Sequence, residues 1–413
     1  MLKGDLMHKY AVFWLRMFRC ALTGNTHYFL WLGLLGVLSL LGLCSYGVQF
    51  TQGFTVTNLS DQVSWGAYIA NFTFLVGVAA AAVLLVVPSY LYKNKDIKKV
   101  VLLGEILAFV AIIMCLLFIV VDLGRPDRFL HILPFTGKLN FPQSILAWDV
   151  IVLNGYLFLN VFIPGYLLYM KYLGKEPNAT YYLPFVFISM VWAVSIHTVT
   201  AFLYSGLGGR PYWNAAILAP RFIVSAFAGG PALLMLIFQT SRRLTEMKIP
   251  ESVFDYLKRI MTYTMLINLF LLGCEVFKEF YTDATHVLSA RYLFFGIHGH
   301  QMLVPYIWSA ILMELFAIFV LLTPNLRNNW KFMRVACVMA FVGIWIEKGM
   351  GLIVPGFIPT PLGDLVEYTP SKIEFLVSLG IWAFGALLFT MTGKVVIAIE
   401  TGGLRFQTKE NLG

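Results

Sequence analysis

The fold is decided by stretches such as residues 98–123, which read KKVVLLGEILAFVAIIMCLLFIVVDL. Only Glu105 interrupts an apolar run that is long enough to cross a bilayer, because about 20 apolar residues in a helix span the hydrocarbon core. Other stretches have the same character. The chain therefore has ten predicted spans, at residues 28–50, 66–92, 98–123, 144–172, 183–204, 214–240, 258–281, 299–322, 331–354 and 372–398.

The composition agrees with a polytopic membrane protein. Hydrophobic residues make up 59% of the 413 residues, charged residues make up 12%, and the mean hydropathy is +0.77. Soluble domains are about a quarter charged. The predicted fold class is an all-α integral membrane protein of about ten transmembrane helices, with the lipid bilayer as its solvent. The net charge of +9 reflects membrane topology, so nucleic acid is not an expected partner.

Lysine and arginine are concentrated in the N-terminal segment and in the loops after spans two, four, six and eight. By the positive-inside rule this predicts a multi-pass protein of the cytoplasmic (inner) membrane with both termini in the cytoplasm. Within residues 1–27, Phe13, Trp14 and Phe18 recur at helical spacing beside basic groups, which predicts a helix on the cytoplasmic interface. A disordered leader is the alternative. Residues 399–413 are the predicted cytoplasmic tail.

Five ionisable residues lie inside five different spans, each about five to seven residues from the outer end: Asp149, His197, Arg221, Glu275 and Glu347. At ~1.5 Å of rise per residue, they share one layer roughly 8–11 Å below the outer face. Charges in hydrocarbon are unfavourable unless they are paired or hydrated, so a shared layer indicates a functional site. The alternative is that salt bridges merely join the helices.

The chain carries no motif for a metal cofactor. Its five cysteines include no Cys-x-x-Cys pair, which excludes an iron–sulfur cluster, a cysteine zinc site and c-type haem. Only His197 is clearly within a span, so haem held by two facing histidines is not expected. A weak site among the histidines of the outer loops is left open: His131, His286, His298 and His300. Any electrons handled here must pass through a bound small molecule or through partners.

Several motifs resemble one family of membrane subunits. Asp122-Leu-Gly-Arg-Pro-Asp-Arg-Phe129 ends span three, Trp148-Asp149 opens span four, and Ser195-Ile-His197-Thr-Val-Thr200 lies in span five. Ala219-Pro-Arg221 in span six and Glu275 in span seven continue the pattern. From about Trp65 onward, the chain resembles the NrfD or polysulfide-reductase membrane subunits.

Within that family, two segments are most similar to DsrP-type subunits, which belong to the DsrMKJOP complexes of sulfate reducers. They are Ile344-Trp-Ile-Glu-Lys-Gly349 and the loop 355–371. The membrane subunits of Qrc, hydrogenase-2 and alternative complex III share much of the pattern. The resemblance therefore identifies the family more firmly than the particular complex.

The resemblance implies a quinone-interacting subunit that has no redox centre of its own and exchanges electrons with menaquinone or menaquinol. It implies a membrane domain, residues 28–398, built of two four-helix bundles at 66–204 and 214–354 with two flanking helices. Implied partners are an iron–sulfur (ferredoxin-like) subunit on the outer face, a c-type cytochrome and further membrane subunits, in dissimilatory sulfur metabolism. The implied quinone site lies in the first bundle near the outer side, where the matching residues are Trp65, Tyr68, Asn71, Asp149 and His197.

Quinone chemistry moves two electrons and two protons, so the ring oxygens need groups that exchange protons. His197 titrates near neutral pH and can serve one oxygen, and Asp149 or Tyr68 can serve the other. His197 and Asp149 are therefore the predicted catalytic residues.

The other carboxyls have two interpretations. Glu105 and Glu314 lie deeper than the outer layer, so one interpretation is a proton path from the cytoplasm that contains Glu105, Arg221, Glu275, Glu314 and Glu347. The second interpretation is that each carboxyl is protonated or hydrogen-bonded within the packing. Both stay open.

Arg125 and Arg128 lie just outside the outer end of span three, close to the layer of buried charge. This position predicts that they contact the iron–sulfur partner. The alternative is that Arg125 pairs with Asp122 or Asp127. Two other functions are kept open, a secondary transporter and an anchor that only holds a redox partner. A transporter would show short spans broken by Gly or Pro at matching positions of two halves, whereas only span six is broken in this way.

Overall fold

A computed structural model describes residues 2–133, 135–283 and 287–406. The predicted tail from residue 407 onward and His286 lie outside the described residues. Regular structure in the described part is helical. The α-helices are α1 (Leu2–Ala21), α2 (Thr26–Gln52), α3 (Ala67–Ala80), α4 (Val83–Val86), α5 (Val101–Asp122), α6 (Ile145–Tyr172), α7 (Ala179–Ser205), α8 (Leu218–Leu244), α9 (Glu251–Thr282), α10 (Val287–Phe294), α11 (Val304–Leu322), α12 (Pro324–Arg327), α13 (Trp330–Lys348), α14 (Met350–Ile353) and α15 (Lys372–Glu400).

Short helical turns connect these elements. The 3-10 helices are Gly53–Val56, Ile97–Lys99, Pro126–Ile132, Pro211–Trp213 and Pro355–Phe357, and a π-helical turn covers Val87–Leu91.

Ten helical segments of the described chain are long and apolar enough to cross a membrane, which confirms the predicted fold class and number of spans. Two boundaries differ clearly from the prediction. The seventh span begins at Glu251 rather than 258, because Pro250 provides an extended residue from which the helix starts. The eighth begins at Val304 rather than 299, because Ile297 and His300 pair in a tight turn before it.

The second and ninth spans are interrupted, whereas the sixth span, which was predicted to be broken, is the continuous helix α8. In the second, α3 is followed by α4 and then by the π turn that contains Pro88, which has no N–H to continue an α-helix. In the ninth, α13 ends at Lys348, and Gly349 has a non-helical ψ of −104° before α14 begins. The second break leaves Glu347 and Lys348 at a helix terminus inside the membrane domain.

The crossing helices pack as two rings and a pair. Contacts between α3, α5, α6 and α7 close the first ring, and contacts between α8, α9, α11 and α13 close the second ring. The rings touch where α3 and α7 pack against α8 and where α3 packs against α13. Helices α2 and α15 pair beside the first ring, with α15 against α5. They approach closely at two glycines, since a Cβ built on Gly42 would lie 2.5 Å from the Cα of Gly380.

Both ends of the described chain meet on one face, which we call the terminal face. Arg16 Nη1 donates to the carbonyl oxygen of Arg405 over 3.1 Å, and the ring of Phe13 lies 5.0 Å from that of Tyr172. The predicted N-terminal helix is therefore present as α1, and it packs on the end of α6. Trp14 on the same helix is exposed.

Loops on the opposite face, which we call the far face, form a second set of contacts. Glu374 is fully buried and accepts hydrogen bonds from the backbone N–H of Asn58 and from Tyr368 Oη. The guanidinium of Arg210 lies 4.6 Å from the ring centre of Phe357. These contacts hold the loop that follows span nine against the ends of both rings.

Candidate functional site

Three of the five residues predicted in the buried layer lie together. Arg221 of α8 is ion-paired with Glu275 of α9 and with Glu347 of α13, and all three side chains are buried. Removing either carboxylate would leave part of a buried positive charge unpaired, which is strongly destabilising. The layer of charge is thus partly a three-helix ion pair inside the second ring.

Asn268 extends this group to a fourth helix. Its Nδ2 donates to Glu347 Oε2 over 2.9 Å and lies 3.2 Å from Glu314 Oε2 on α11. Sequence reasoning missed Asn268, although it lies seven positions before Glu275 and hence on the same face of α9. Glu314, predicted as a deeper residue, is joined directly to the outer-layer group.

Lys348 completes the set, with its Nζ 3.3 Å from Glu347 Oε1. We call these six residues the acid–base cluster: Arg221, Asn268, Glu275, Glu314, Glu347 and Lys348. The cluster contains three carboxyls and two cations. Because an uncompensated charge is costly in this environment, electroneutrality requires one proton shared among the carboxyls. The arrangement is therefore suited to holding a proton.

A cavity of about 20 Å³ lies between the acid–base cluster and the far face, and we call it the outer cavity. Arg221 and Glu275 line its deeper part, and Glu279 and Tyr212 also line it. Burial raises the pKa of Tyr212, so its hydroxyl stays protonated and can donate a hydrogen bond. Lys278 Nζ lies 3.3 Å from Glu279 Oε1. The cavity thus has polar groups along its length.

In the first ring, Asp149 and His197 are both buried. Thr200 Oγ1 lies 3.2 Å from Asp149 Oδ1, and Thr200 lies three residues after His197 on α7. Residues at this spacing share one face of a helix, so Asp149 of α6 approaches the face of α7 that carries His197. His197 Nδ1 has no hydrogen-bond partner among the described residues. Asp149 and His197 thus lie on the two helices of the α6–α7 interface, and the described chain shows no hydrogen bond between their side chains.

Tyr68 and Asn71 already have protein partners. Tyr68 Oη lies 2.6 Å from Gln49 Oε1. Asn71 Oδ1 accepts from the indole nitrogens of Trp345 over 3.0 Å and of Trp382 over 2.9 Å. Because a carbonyl oxygen has two lone pairs, Asn71 has no acceptor left for a ligand, and its side chain joins α3 to α13 and α15. Their predicted contacts to quinone stay predictions.

Trp65 belongs to an aromatic group at the far-face end of the rings. Its ring stacks on Trp213 at 5.8 Å and meets Tyr204 edge-on at 5.7 Å. Tyr204 in turn lies 5.9 Å from Phe222. Trp65 therefore helps to cover the first ring on its far-face side, above His197 and Asp149.

A second cavity lies where the two rings meet, and we call it the junction cavity. It has a volume of about 10 Å³ and lies between α3, α7, α8 and α13. His197 from the first ring and Lys348 from the second both line it, with Thr73 and Ser225 between aromatic and aliphatic walls. Sequence reasoning gave no reason to bring His197 and Lys348 to one cavity.

The remaining predicted residues lie elsewhere. Glu105 is in the first ring, where Tyr90 Oη lies 3.3 Å from its Oε2, and no contact to the acid–base cluster is found in the described chain. Arg125 forms a bidentate pair with Asp127, at 3.0 and 2.9 Å, as the alternative interpretation expected. This pairing lowers the pKa of Asp127. Arg128 is exposed on the same loop.

The described residues contain no group of three His, Cys, Asp or Glu side chains placed to hold a metal ion. The ten apolar crossing helices of the described chain define a multi-pass integral membrane protein, and its polar side chains are buried between the helices of the two rings. The model of the family "Polysulphide reductase, NrfD" matches residues 55–358, which is more than half of the chain. This protein is a member of the NrfD family.

Relatives of similar length share the whole domain. The chain is 24% identical to the Hdr-like menaquinol oxidoreductase integral membrane subunit of Archaeoglobus fulgidus, over 91% of this chain and 94% of that protein. It is 23% identical to a selenate reductase subunit of Mesobacillus selenatarsenatis, over 89% and 93%. It is 22% identical to the menaquinone reductase integral membrane subunit of Nitratidesulfovibrio vulgaris, over 91% and 92%.

Proposed function

We propose that this chain is the quinone-interacting membrane subunit of a multi-subunit respiratory oxidoreductase. The observation that carries the proposal is the buried Asp149–Thr200 contact on the face of α7 that holds His197, in a domain whose family is established. Two of the similar proteins have menaquinol or menaquinone in their names. Menaquinone is accordingly the proposed substrate.

The buried groups of the first ring suit this chemistry. Oxidation of a quinol releases two electrons and two protons, and reduction of the quinone takes up the same. The His197 imidazole can accept or donate a proton at one ring oxygen, and the Asp149 carboxyl can do so at the other. The aromatic group around Trp65 would restrict access of water from the far face. The chain itself would supply proton exchange and positioning, whereas the electrons would pass to a partner.

The proposed orientation places the terminal face in the cytoplasm of a cell whose inner membrane holds the protein. The basic loops support it, because Lys93, Lys95, Lys98 and Lys99 lie on the terminal face with the N-terminal helix. The far face then points outward.

An iron–sulfur (ferredoxin-like) subunit is the proposed partner on the far face, with a c-type cytochrome and further membrane subunits in the same complex. The support is that several similar proteins are named as subunits of reductases. We further propose a DsrP-like role in dissimilatory sulfur metabolism, which depends on the motifs Ile344–Gly349 and 355–371. Subunits of the Qrc, hydrogenase-2 or alternative complex III type are the alternative.

The acid–base cluster supports a second proposal, that quinone chemistry is coupled to proton movement. Glu314 connects through Asn268 to Glu347, and Arg221 connects Glu347 to Glu275 at the outer cavity. A continuous set of polar groups thus runs from the middle of α11 toward the far face. Glu105 has no contact to the acid–base cluster in the described chain. Any part that it plays in the proton path would therefore run through the first ring.

Binding of a menaquinone analogue tests the proposed function directly. The purified complex should retain menaquinone after extraction with detergent, and an added analogue should compete with it. A secondary transporter or a simple anchor would show neither. Absence of bound quinone together with no competition by the analogue would contradict the proposal.

A further inference from the structure

The junction cavity brings together two buried polar groups from different rings. His197 is 2% exposed and Lys348 is 4% exposed, and both line the cavity. Neither His197 Nδ1 nor Lys348 Nζ makes a hydrogen bond to another described residue, although Lys348 lies 3.3 Å from Glu347 Oε1. Buried polar atoms are rarely left in this way, since each unmade hydrogen bond costs about 1–3 kcal/mol.

The lining of the cavity is suited to water. A buried water molecule needs two to four polar partners and a space of about 10–15 Å³, so the junction cavity has room for about one. Besides His197 and Lys348, the hydroxyls of Thr73 and Ser225 border the cavity, and each already donates to a carbonyl of its own helix. Thr73 Oγ1 also accepts from Tyr204 Oη, so it keeps one lone pair for water, and Ser225 Oγ can likewise accept. The Lys348 ammonium can donate to the same water.

We propose that the junction cavity holds water that passes protons between His197 in the first ring and Lys348 in the second. This inference rests on the proposed quinone function, and it assigns to Lys348 the link between the quinone site and the acid–base cluster. His197 would then exchange protons with substrate on one side and with the cavity on the other. The junction cavity would then connect the proton chemistry of the two rings.

The proton step balances without a further reactant. Oxidation of one quinol yields one quinone, two electrons and two protons, and the electrons leave to the iron–sulfur partner. His197 takes one of the protons and Asp149 takes the other, and His197 releases its proton into the cavity water. Lys348 accepts a proton from that water as it releases one toward Glu347, so its charge is unchanged at the end. Reduction of the quinone runs the same transfers in reverse.

Gly77 offers a way to fill the cavity without disturbing the helices. A Cβ built on Gly77 would lie 3.9 Å from His197 Nε2 and 3.5 Å from the Cβ of Ala226, which are ordinary contacts. Gly77→Ala is therefore expected to fold while displacing water next to the imidazole. Gly165→Ala is the matched control, because it is also within a crossing helix and its Cβ would meet nothing within 4 Å.

Lys348 can be tested independently. Lys348→Met keeps an unbranched side chain but removes the group that exchanges protons, whereas Lys348→Arg keeps a cation and donors. If loss of the positive charge alone were responsible, Lys348→Arg would behave like the wild type. If proton exchange at this position is required, Lys348→Arg should resemble Lys348→Met, because a guanidinium is not deprotonated in proteins.

The experiment uses the whole complex in vesicles and measures three quantities: binding of a menaquinone analogue, quinol-dependent electron transfer, and membrane potential per electron transferred. We expect Gly77→Ala, Lys348→Met and Lys348→Arg to bind the analogue within twofold of the wild type. Their potential per electron should fall at least fivefold, and Gly165→Ala should match the wild type.

Each outcome decides a different point. Normal potential per electron in Gly77→Ala and Lys348→Met, with analogue binding intact, would overturn the junction cavity as a proton link and leave the quinone function standing. Wild-type behaviour of Lys348→Arg would overturn proton exchange at Lys348. Failure of the wild type itself to bind the analogue would overturn the quinone function. Absence of any potential in the wild type would overturn the link.

Discussion

Asn268 and Glu347 lie 2.9 Å apart, from Nδ2 to Oε2, and this hydrogen bond joins α9 to α13 inside the second ring. The same Nδ2 lies 3.2 Å from Glu314 Oε2. One amide thus holds two buried carboxyl groups, and it brings Glu314 of α11 into contact with the Arg221 ion pairs. The Asn268 side chain is thus one of the contacts that join α9, α11 and α13 within the acid–base cluster.

We predict that Asn268→Leu destabilises the complex by about 1–3 kcal/mol, because two buried carboxyls lose their shared donor. Leucine is not smaller than asparagine, so a cavity is not the cause. The change should appear as a lower thermal unfolding midpoint of the purified complex. Asn154→Leu is the control, since Asn154 is exposed and its Nδ2 bonds only to the Val150 carbonyl of its own helix. Equal midpoints for both variants would contradict the bridging role.

His197→Ala and Asp149→Asn should each lower quinol-dependent reduction of the partner at least about 100-fold, which is the scale of a lost acid–base group. Assembly of the complex should stay intact, because neither side chain takes part in the ion pairs of the second ring. Thr200→Val removes the hydroxyl that contacts Asp149 and the Ile196 carbonyl but leaves the Asp149 carboxyl in place, so it should lower the rate less. Steady-state kinetics with a water-soluble quinol would measure all three. Full activity in both His197→Ala and Asp149→Asn rules out this site.

Glu314→Gln and Glu275→Gln should reduce the membrane potential formed in vesicles while part of the electron transfer survives. The reason is that Gln keeps the size and much of the hydrogen bonding of the side chain but cannot carry a proton. Glu176→Gln, on an exposed loop of the terminal face, is the control for a changed carboxyl without a proton role. If Glu314→Gln and Glu275→Gln both form a normal potential, the cluster is structural and the proton path is wrong.

Docking on the far face should depend more on Arg128 than on Arg125, because Arg125 is already held by Asp127 in a bidentate pair. Arg128→Glu should therefore weaken copurification of the iron–sulfur partner, with a stronger effect at low salt, whereas Arg125→Ala should change it less. Because the pKa of Asp127 is lowered, its carboxylate stays ionised at neutral pH and the pair stays intact. The pair should break only when the pH falls below the usual aspartate pKa of about 3.9.

Crosslinks provide a separate check on docking. Crosslinking groups introduced at residues 128 and 362 should form covalent links to a partner subunit on the far face. Links found exclusively to cytoplasmic subunits would contradict both the docking site and the proposed orientation.

The number of crossing helices could be predicted from sequence because hydrophobic length is a local property. A helix in lipid satisfies its own backbone hydrogen bonds, so each apolar run such as 98–123 specifies its element without reference to the others. The charge layer could be predicted for the same reason, since depth follows from position along each span. Where a span is interrupted, at Pro88 or Gly349, local sequence indicated less, because the surrounding helices determine which irregular backbone is tolerated.

Sequence alone thus determined the ten apolar spans, the ionisable residues inside them and the family motifs. Only the tertiary structure decided which buried groups meet. Arg221 forms ion pairs with Glu275 and Glu347, and Asn268 joins Glu314 to this group. Asn71 accepts hydrogen bonds from two tryptophans. These contacts depend on the rotation of each helix about its axis, which side-chain packing between helices sets and hydropathy does not encode.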